Sequence, residues 1–338
     1  MTKTRYYIFS LIAFAASALI GGHFLMRTDA GHKRAGPREK ITIAYSTTTD
    51  TVLAEVAQMQ GFYLQEGLEA IPQKYPYGKI ALQAVLEGRA DFATVAETPI
   101  MFAVLNGEKL YVIATIQTSS KANAIVARKD KGILTPADLK GRTIAATLGT
   151  TSEFFMDAYL AGHGIARKNM KVVDLKAEGL SDALENGTVD AVSAFNPYLI
   201  RMQKKLGNRV ITFYDEEIYT KTFNIVATQE FVRNNPGKVD KVLGALIKAE
   251  QFVSRNPAAA QKIVADFSLM DAALVREIWQ DTSFLVRLDQ SLVLALEEES
   301  RWAVKGGLTG NRKIPDYMDY IYLEGLQSVK PTAVRILR

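Results

Sequence analysis

The chain has 338 residues, 48% of them hydrophobic, with no cysteine and three histidines. That length buries a large core with room for two lobes. The missing cysteine excludes disulfides, thiol nucleophiles, thiolate metal sites and a lipid-modified N-terminal cysteine, and a lone His163 beyond residue 40 leaves too little for a histidine metal cluster or a Ser-His-Asp triad.

The formal charge of +5 is unevenly spread: residues 1–40 hold seven Lys/Arg against Asp29 and Glu39, while residues 41–338 hold 34 of each sign. The body is neutral, so the basicity gives no reason to expect nucleic acid as a partner. The leader has its own pattern. Lys3 and Arg5 precede an apolar run of 21 residues, Tyr6 to Met26, as in export segments. Ala16-Ser17-Ala18 is an acceptable cleavage site, yet a helix of that run spans roughly 31 Å, enough to cross a bilayer. Residues 1–26 are therefore an export signal or a membrane anchor, with membrane contact through 6–26 if the leader stays. Residues 27–40, with Gly31, Gly36 and Pro37 among charges, read as a flexible tether.

From Ile41 the pattern turns to α/β. Ile41–Tyr45 is a strand, Ser46–Asp50 a polar turn, and a helix runs to about Gly61. In "LQAVLEGRADFATVAETPIM" (82–101) a helix stops at Gly88, Asp91 enters a buried strand, and Thr98-Pro99 reads as an N-cap with proline at the first helical position. The order then returns. "RTIAATLGTTSEFFMDAYLAGHGI" (142–165) repeats strand, hydroxyl-rich turn and helix, and "LSDALENGTVDAVSAFNPYLI" (180–200) repeats the stop at Gly187, the strand-entering Asp190 and a cap at Asn196-Pro197. Two lobes built alike are expected. The β-branched runs 123–130 and 223–231 read as strands carrying the chain out and back, with a hinge near residues 126 and 226. Beyond Asn235 the apolar spacing is helical, and this extension, with Trp279 and Trp302 as core, is expected to pack on the first lobe.

The set "QGFYLQEGLE", "ALQAVLEGRADFATV", "TPADLKGRTIAATLGTTSEFF", "HGI" and "ALENGTVDAVSAFNPY" resembles the periplasmic substrate-binding proteins of ABC importers, in the nitrate/sulfonate/taurine group whose relatives also bind a pyrimidine precursor of thiamine. The resemblance covers about residues 41–260. It implies a two-lobed periplasmic-binding-protein fold of α/β class, each lobe a mixed sheet flanked by helices, joined by two crossover strands and followed by a helical C-terminal extension. Lobe 1 is expected at 41–126 and 224–338, and lobe 2 at 127–223. It also implies a non-enzymatic protein that captures a small polar organic solute, a sulfonate or taurine-like zwitterion, and delivers it to an ABC permease and its ATPase, in the periplasm or otherwise outside the cytoplasm. A ligand-sensing extracytoplasmic module and a pyrimidine-precursor binder are the alternatives. Enzymes of the pyrimidine branch depend on histidine chemistry, which His163 does not offer; no cofactor and no metal is expected.

Ligands of open α/β sheets sit beyond the carboxyl ends of the strands, which selects loops 46–50, 95–98, 147–152 and 193–196. Gly149, Thr150, Thr151 and Ser152 place N–H groups and hydroxyls at a helix start, suited to an anionic head group. The same residues form a capping box, Thr150 as N-cap with Glu153 reaching back. Ser46, Thr47, Thr48 and Thr49 are the counterpart in the first lobe. Tyr77-Gly78 follows the second strand, where the glycine either lets the backbone approach a ligand or simply makes a turn. Glu97 beside Thr98 is expected to meet an ammonium or ring N–H, which would disfavour nitrate. Asn196 and Tyr198 beside Phe195, and Asn224 on the returning strand, complete the candidates.

Overall fold

The computed structural model describes residues 38–337, so the leader 1–26 and residues 27–37 of the tether lie outside the described residues. The first strand, β1 (Glu39–Ser46), starts within the expected tether. Its Glu39 N–H already bonds the Gly67 carbonyl at 3.0 Å, which draws residues 39–40 into the sheet.

Chain order in the first half is β1, α1 (Val52–Met59), α2 (Phe62–Gln65), β2 (Leu68–Tyr75), α3 (Gly78–Leu86), β3 (Phe92–Ala96), α4 (Glu97–Leu105) and β4 (Leu110–Ser119). There follow β5 (Asn123–Arg128), β6 (Thr143–Ala146), α5 (Thr151–Gly162), β7 (Lys171–Asp174), α6 (Leu180–Glu185), β8 (Ala191–Phe195), α7 (Tyr198–Leu206), β9 (Val210–Phe213) and β10 (Lys221–Thr228). The last part holds α8 (Gln229–Asn234), α9 (Pro236–Arg255), α10 (Pro257–Ser268), α11 (Ala272–Trp279), β11 (Leu288–Asp289), α12 (Gln290–Lys305), α13 (Leu323–Val329) and β12 (Val334–Arg335). Among the described residues no helix is long and apolar enough to cross a membrane.

Two five-stranded mixed sheets result, ordered β2-β1-β3-β10-β4 and β7-β6-β8-β5-β9. They are the same arrangement twice. In each, a parallel trio (β2, β1, β3 or β7, β6, β8) meets one antiparallel strand, β10 or β5, that is handed over from the other sheet. The repeat extends to single bonds. Asp91 Oδ2 accepts from Thr42 N–H at 2.7 Å and Asp190 Oδ2 from Thr143 N–H at 2.9 Å. Gly88 and Gly187, which stop the preceding helices, share a φ of 72°, a left-handed value that glycine adopts without steric cost.

The chain passes between sheets at residues 120–122 and 214–220, rather than within strands at 126 and 226. The expected crossover strands lie wholly inside one sheet each: β5 pairs only with β8 and β9, and β10 only with β3 and β4. Residues 123–126 therefore belong to the second sheet and 221–223 to the first. Both expected proline caps also shift. Helix α4 starts at Glu97, one residue before Thr98, and α7 starts at Tyr198, after a cis Asn196–Pro197 bond.

Helices α9, α10, α12 and α13 complete the first lobe's core through Val239, Leu246, Val264, Leu296 and Leu326. The extension also touches the second lobe. Leu274 and Ile278 of α11 pack with Ile200, and Trp302 lies edge-on between Phe102 and Phe154 while donating from Nε1 to Asp157 at 2.9 Å. Trp302 thus packs against the first lobe's core, as expected, and also bridges the lobes: its indole N–H needs a partner, and the second lobe supplies it.

Candidate functional site

The loops at the carboxyl ends of β1, β3, β6 and β8 face each other across the cleft. They enclose a small cavity lined by Thr48, Asp50, Tyr77, Gly78, Lys79, Ala96, Pro99, Thr150, Thr151, Phe195, Lys221 and Phe223. In this closed arrangement about 20 Å³ remains for the centre of a water-sized sphere. Beyond Lys79 and Gly149 the cleft widens into a solvent-facing groove of about 420 Å³.

On the second-lobe side the cap is as the sequence suggests. Thr150 is the N-cap of α5, its hydroxyl accepting from Ser152 N–H at 3.3 Å. Glu153 reaches back, but to the Gly149 N–H (2.7 Å), and its other oxygen holds Arg167 at 2.7 Å. Gly149 is therefore occupied. Ser152 is also spent internally: its hydroxyl donates to the Ser193 carbonyl and Ser193 returns the bond to Ser152, each at 2.7 Å. The N–H groups of Thr150 and Thr151 take no partner among the described residues. They stand at the positive end of a three-turn helix, the geometry that holds an anionic oxygen.

On the first-lobe side, the β1 turn is self-bonded at its start. Ser46 Oγ and Thr48 Oγ1 are 2.8 Å apart, and Thr47 donates from N–H and hydroxyl to the Tyr75 carbonyl. Thr49 Oγ1 is buried without a partner. Of the four expected hydroxyls only Thr48 lines the cavity. Tyr77 and Phe195 meet edge-to-face at 6.2 Å from opposite lobes. Gly78 is required by close packing: a Cβ there would come 2.9 Å from Val95 Cα.

Five further expected site residues lie outside the cavity lining. Glu97 is fully buried behind the cavity wall. One oxygen accepts from the Tyr219 hydroxyl, the other from Thr222 N–H (2.8 Å) and hydroxyl (2.9 Å). It ties the returning chain to α4 instead of meeting a solute, and burial pushes its carboxyl up. Thr98 donates to Glu299 at 3.1 Å. Asn224 is bonded within its sheet to Thr115, Thr222 and the Val95 carbonyl. Tyr198 donates to the Pro76 carbonyl across the cleft at 3.3 Å and leans on Phe195, outside the cavity lining. Asn196 is buried at the end of β8 with Oδ1 unpartnered.

The sequence reading passed over the cavity's charges. Lys221 Nζ is 2.7 Å from Asp50 Oδ1, both side chains at most 3% exposed. Asp50 closes the Ser46–Asp50 turn, and a lysine opening an otherwise uncharged strand was the available signal for Lys221. Gln117 Nε2 donates to the same Asp50 oxygen at 2.7 Å. Among the described residues no group of His, Asp and Glu is placed to hold a metal ion.

The sequence profile of the NMT1/THI5 like family matches residues 49–260. A putative aliphatic sulfonates-binding protein of Bacillus subtilis is 23% identical over 262 residues, covering 77% of this chain and 79% of the relative. Among solved structures, the periplasmic aliphatic sulphonate binding protein SsuA of Escherichia coli superposes with a TM-score of 0.71 at 19% identity, covering 85% of this chain and 98% of SsuA. The alkanesulfonate-binding protein SsuA of Xanthomonas axonopodis pv. citri, bound to MOPS, gives 0.72 at 18% identity, with 85% and 99% covered.

Proposed function

The chain belongs to the NMT1/THI5 like family, and from that membership and the cleft we propose that it is the solute-binding protein of an ABC importer, closing its two lobes on a small organic solute with a sulfonate-type oxyanion and delivering it to a membrane permease and its ATPase. The protein acts outside the cytoplasm, as its periplasmic relatives do, and binds without catalysis. One observation carries the reading: strand ends of two equivalent sheets converge on a single cavity that combines the Thr150 and Thr151 N–H groups, a buried ammonium and aromatic walls. That is the make-up of a specific small-molecule site: an enclosed cleft whose aromatic walls carry polar groups that fix a solute's orientation.

Capture works by closure. The two crossings at 120–122 and 214–220 allow the lobes to part, and the narrowness of the closed cavity means a solute enters the open form. The oxyanion meets the α5 N-terminus, Thr151 and Lys221, while Tyr77, Phe195 and Phe223 exclude water. Isothermal titration of the full-length chain with short alkanesulfonates, taurine, nitrate and an aminopyrimidine tests this. Saturable binding of a sulfonate, weakened by Thr151→Ala, is expected. Binding of the aminopyrimidine alone, or of no compound, overturns it.

A further inference from the structure

We infer that Trp302 is a latch between the lobes: an indole of the C-terminal extension that seats on the second lobe, with Asp157 as its catch, and biases the protein toward the closed form before any solute is bound. The inference goes beyond the proposed function. It gives a task to a residue past position 260, where the match to the family profile ends.

Three features lead to it. The first is where the indole stands. Helix α12 belongs to the first lobe, with Leu296 and Ala303 in its core. Trp302 lies edge-on between two rings, Phe102 of α4 at 5.8 Å and Phe154 of α5 at 5.2 Å. Phe102 belongs to the first lobe and Phe154 to the second, so the indole spans their boundary. Phe154 also meets Tyr219 of the returning crossing edge-on, at 5.3 Å. Edge-to-face pairs stabilise beyond the area they bury, and parting the lobes takes Phe154 away from Trp302.

The second is the catch. Phe154 and Asp157 are three residues apart on α5 and share a face, so one seating of the indole engages both. Its Nε1 donates to Asp157 Oδ2 at 2.9 Å. Arg167 donates to the same oxygen at 2.6 Å and to Glu153 Oε1 at 2.7 Å. The second lobe by itself therefore holds this carboxylate in place for the indole. The bond is part-buried, whereas the Lys79–Leu148 and Tyr198–Pro76 bonds across the cleft are solvent-exposed. A hydrogen bond to a carboxylate, partly shielded from water, counts for more than those two.

The third is how the latch relates to the cavity. Trp302, Phe102, Phe154 and Asp157 all stand outside its lining, so seating the indole needs no solute. The latch still reaches the site. Glu153 Oε2 accepts from Gly149 N–H at 2.7 Å. Hydrogen bonds thus run unbroken from Trp302 through Asp157, Arg167 and Glu153 to the turn before Thr150 and Thr151. Closing the latch and steadying the start of α5 act on one braced helix.

The chain has no cysteine, so Glu69→Cys and Lys171→Cys place two spin labels at exposed positions on the outer strands β2 and β7. Electron–electron resonance then reads the distance between the lobes in the full-length protein without solute. Trp302→Phe keeps a ring for Phe102 and Phe154 and removes the donor. It is expected to lower the closed-to-open ratio about tenfold, a change of about 1.4 kcal/mol, with little change in melting temperature. Asp157→Asn, at the catch, shifts the ratio the same way. Trp279→Phe, elsewhere in the extension, leaves it unchanged. A wholly open wild type, an unchanged ratio in Trp302→Phe, or equal opening by Trp279→Phe overturns the inference. None of these results bears on the proposed function, which the titration with sulfonates tests by itself.

Discussion

Lys79, in the first turn of α3, reaches across the cleft and donates from Nζ to the carbonyl of Leu148 at 2.8 Å. The acceptor lies in the turn that opens α5, so one side chain of the first lobe holds that turn of the second. A Cβ on Gly149 would come 2.8 Å from the same nitrogen, and Gly149 has a φ of 71°. The contact is solvent-exposed, so its net worth is about 0.5–1.5 kcal/mol. Lys79→Met is expected to weaken solute binding roughly two- to tenfold with little change in melting temperature. Titration with the tightest solute checks this, and unchanged affinity would remove Lys79 from closure.

Gly78 presents a packing prediction of a different kind. Besides Val95 Cα at 2.9 Å, an added Cβ would meet the Thr94 carbonyl at 3.2 Å and Phe223 at 3.3 Å. Two of these neighbours are sheet backbone and cannot swing aside. Gly78→Ala should push α3 off β3, costing about 1–3 kcal/mol. A loss of a few degrees in melting temperature is the expected readout, and wild-type stability would show that the helix start yields freely.

The duplicated sheets were legible because each half carries the same local signals at the same offsets. Gly88 and Gly187 stop helices, and Asp91 and Asp190 bond Thr42 of β1 and Thr143 of β6. Local signals of this sort depend on neighbours in sequence, which is why Thr150 could be read as a cap. The cavity was legible as four loops but not as a set of groups. Glu97 and Asp50 both follow a strand near hydroxyl residues. Which of them reaches the cavity depends on partners far along the chain, Tyr219 and Thr222 for one and Lys221 for the other. Those pairings are set by β10 inserting into the first sheet, a long-range event that spacing does not encode. The crossing points were misplaced for the same reason, since a strand's sequence does not say which sheet receives it.

Glu55 makes stability depend on pH. It is buried on α1, accepting from Thr51 and Ser268 hydroxyls at 2.6 Å each, with Oε2 unpartnered. Burial raises its pKa from the ordinary 4.5 to about 7. The folded chain therefore holds this proton in a range where the unfolded chain has released it. Its contribution is full below pH 4.5 and is lost as pH rises toward about 7, at about 1.4 kcal/mol per unit. Glu55→Gln should flatten the melting-temperature profile across that window and raise stability at pH 8. An unchanged slope in the variant would assign the dependence to other groups.

The last prediction concerns the returning crossing. Glu97 accepts from the Tyr219 hydroxyl and from the N–H and hydroxyl of Thr222, which flank the join of residues 214–220 to β10. Glu299 on α12 is buried beside it and bonded by Thr98. Burial raises both carboxyls, and the neighbouring Glu97 raises Glu299 further. No cation faces this pair in the hydrogen bonds or ion pairs of the described residues, so one shared proton relieves the repulsion. Both pKa values lie above 4.5, so this contribution too is full below that pH and declines as pH rises through the folded values. Glu97→Gln keeps a carbonyl oxygen for the Thr222 N–H, and the hydroxyls can turn to meet its amide. It is expected to fold as the wild type does and to lose less stability at alkaline pH. Glu97→Leu leaves the buried Thr222 N–H and two hydroxyls without an acceptor, at about 1–3 kcal/mol for each that stays unsatisfied. Hydrogen exchange at Thr222 should then quicken while β1 and β3 stay protected, because the anchor holds the crossing rather than the sheet. Uniform loss of protection across the first lobe would instead make Glu97 a general core residue with no particular hold on the hinge.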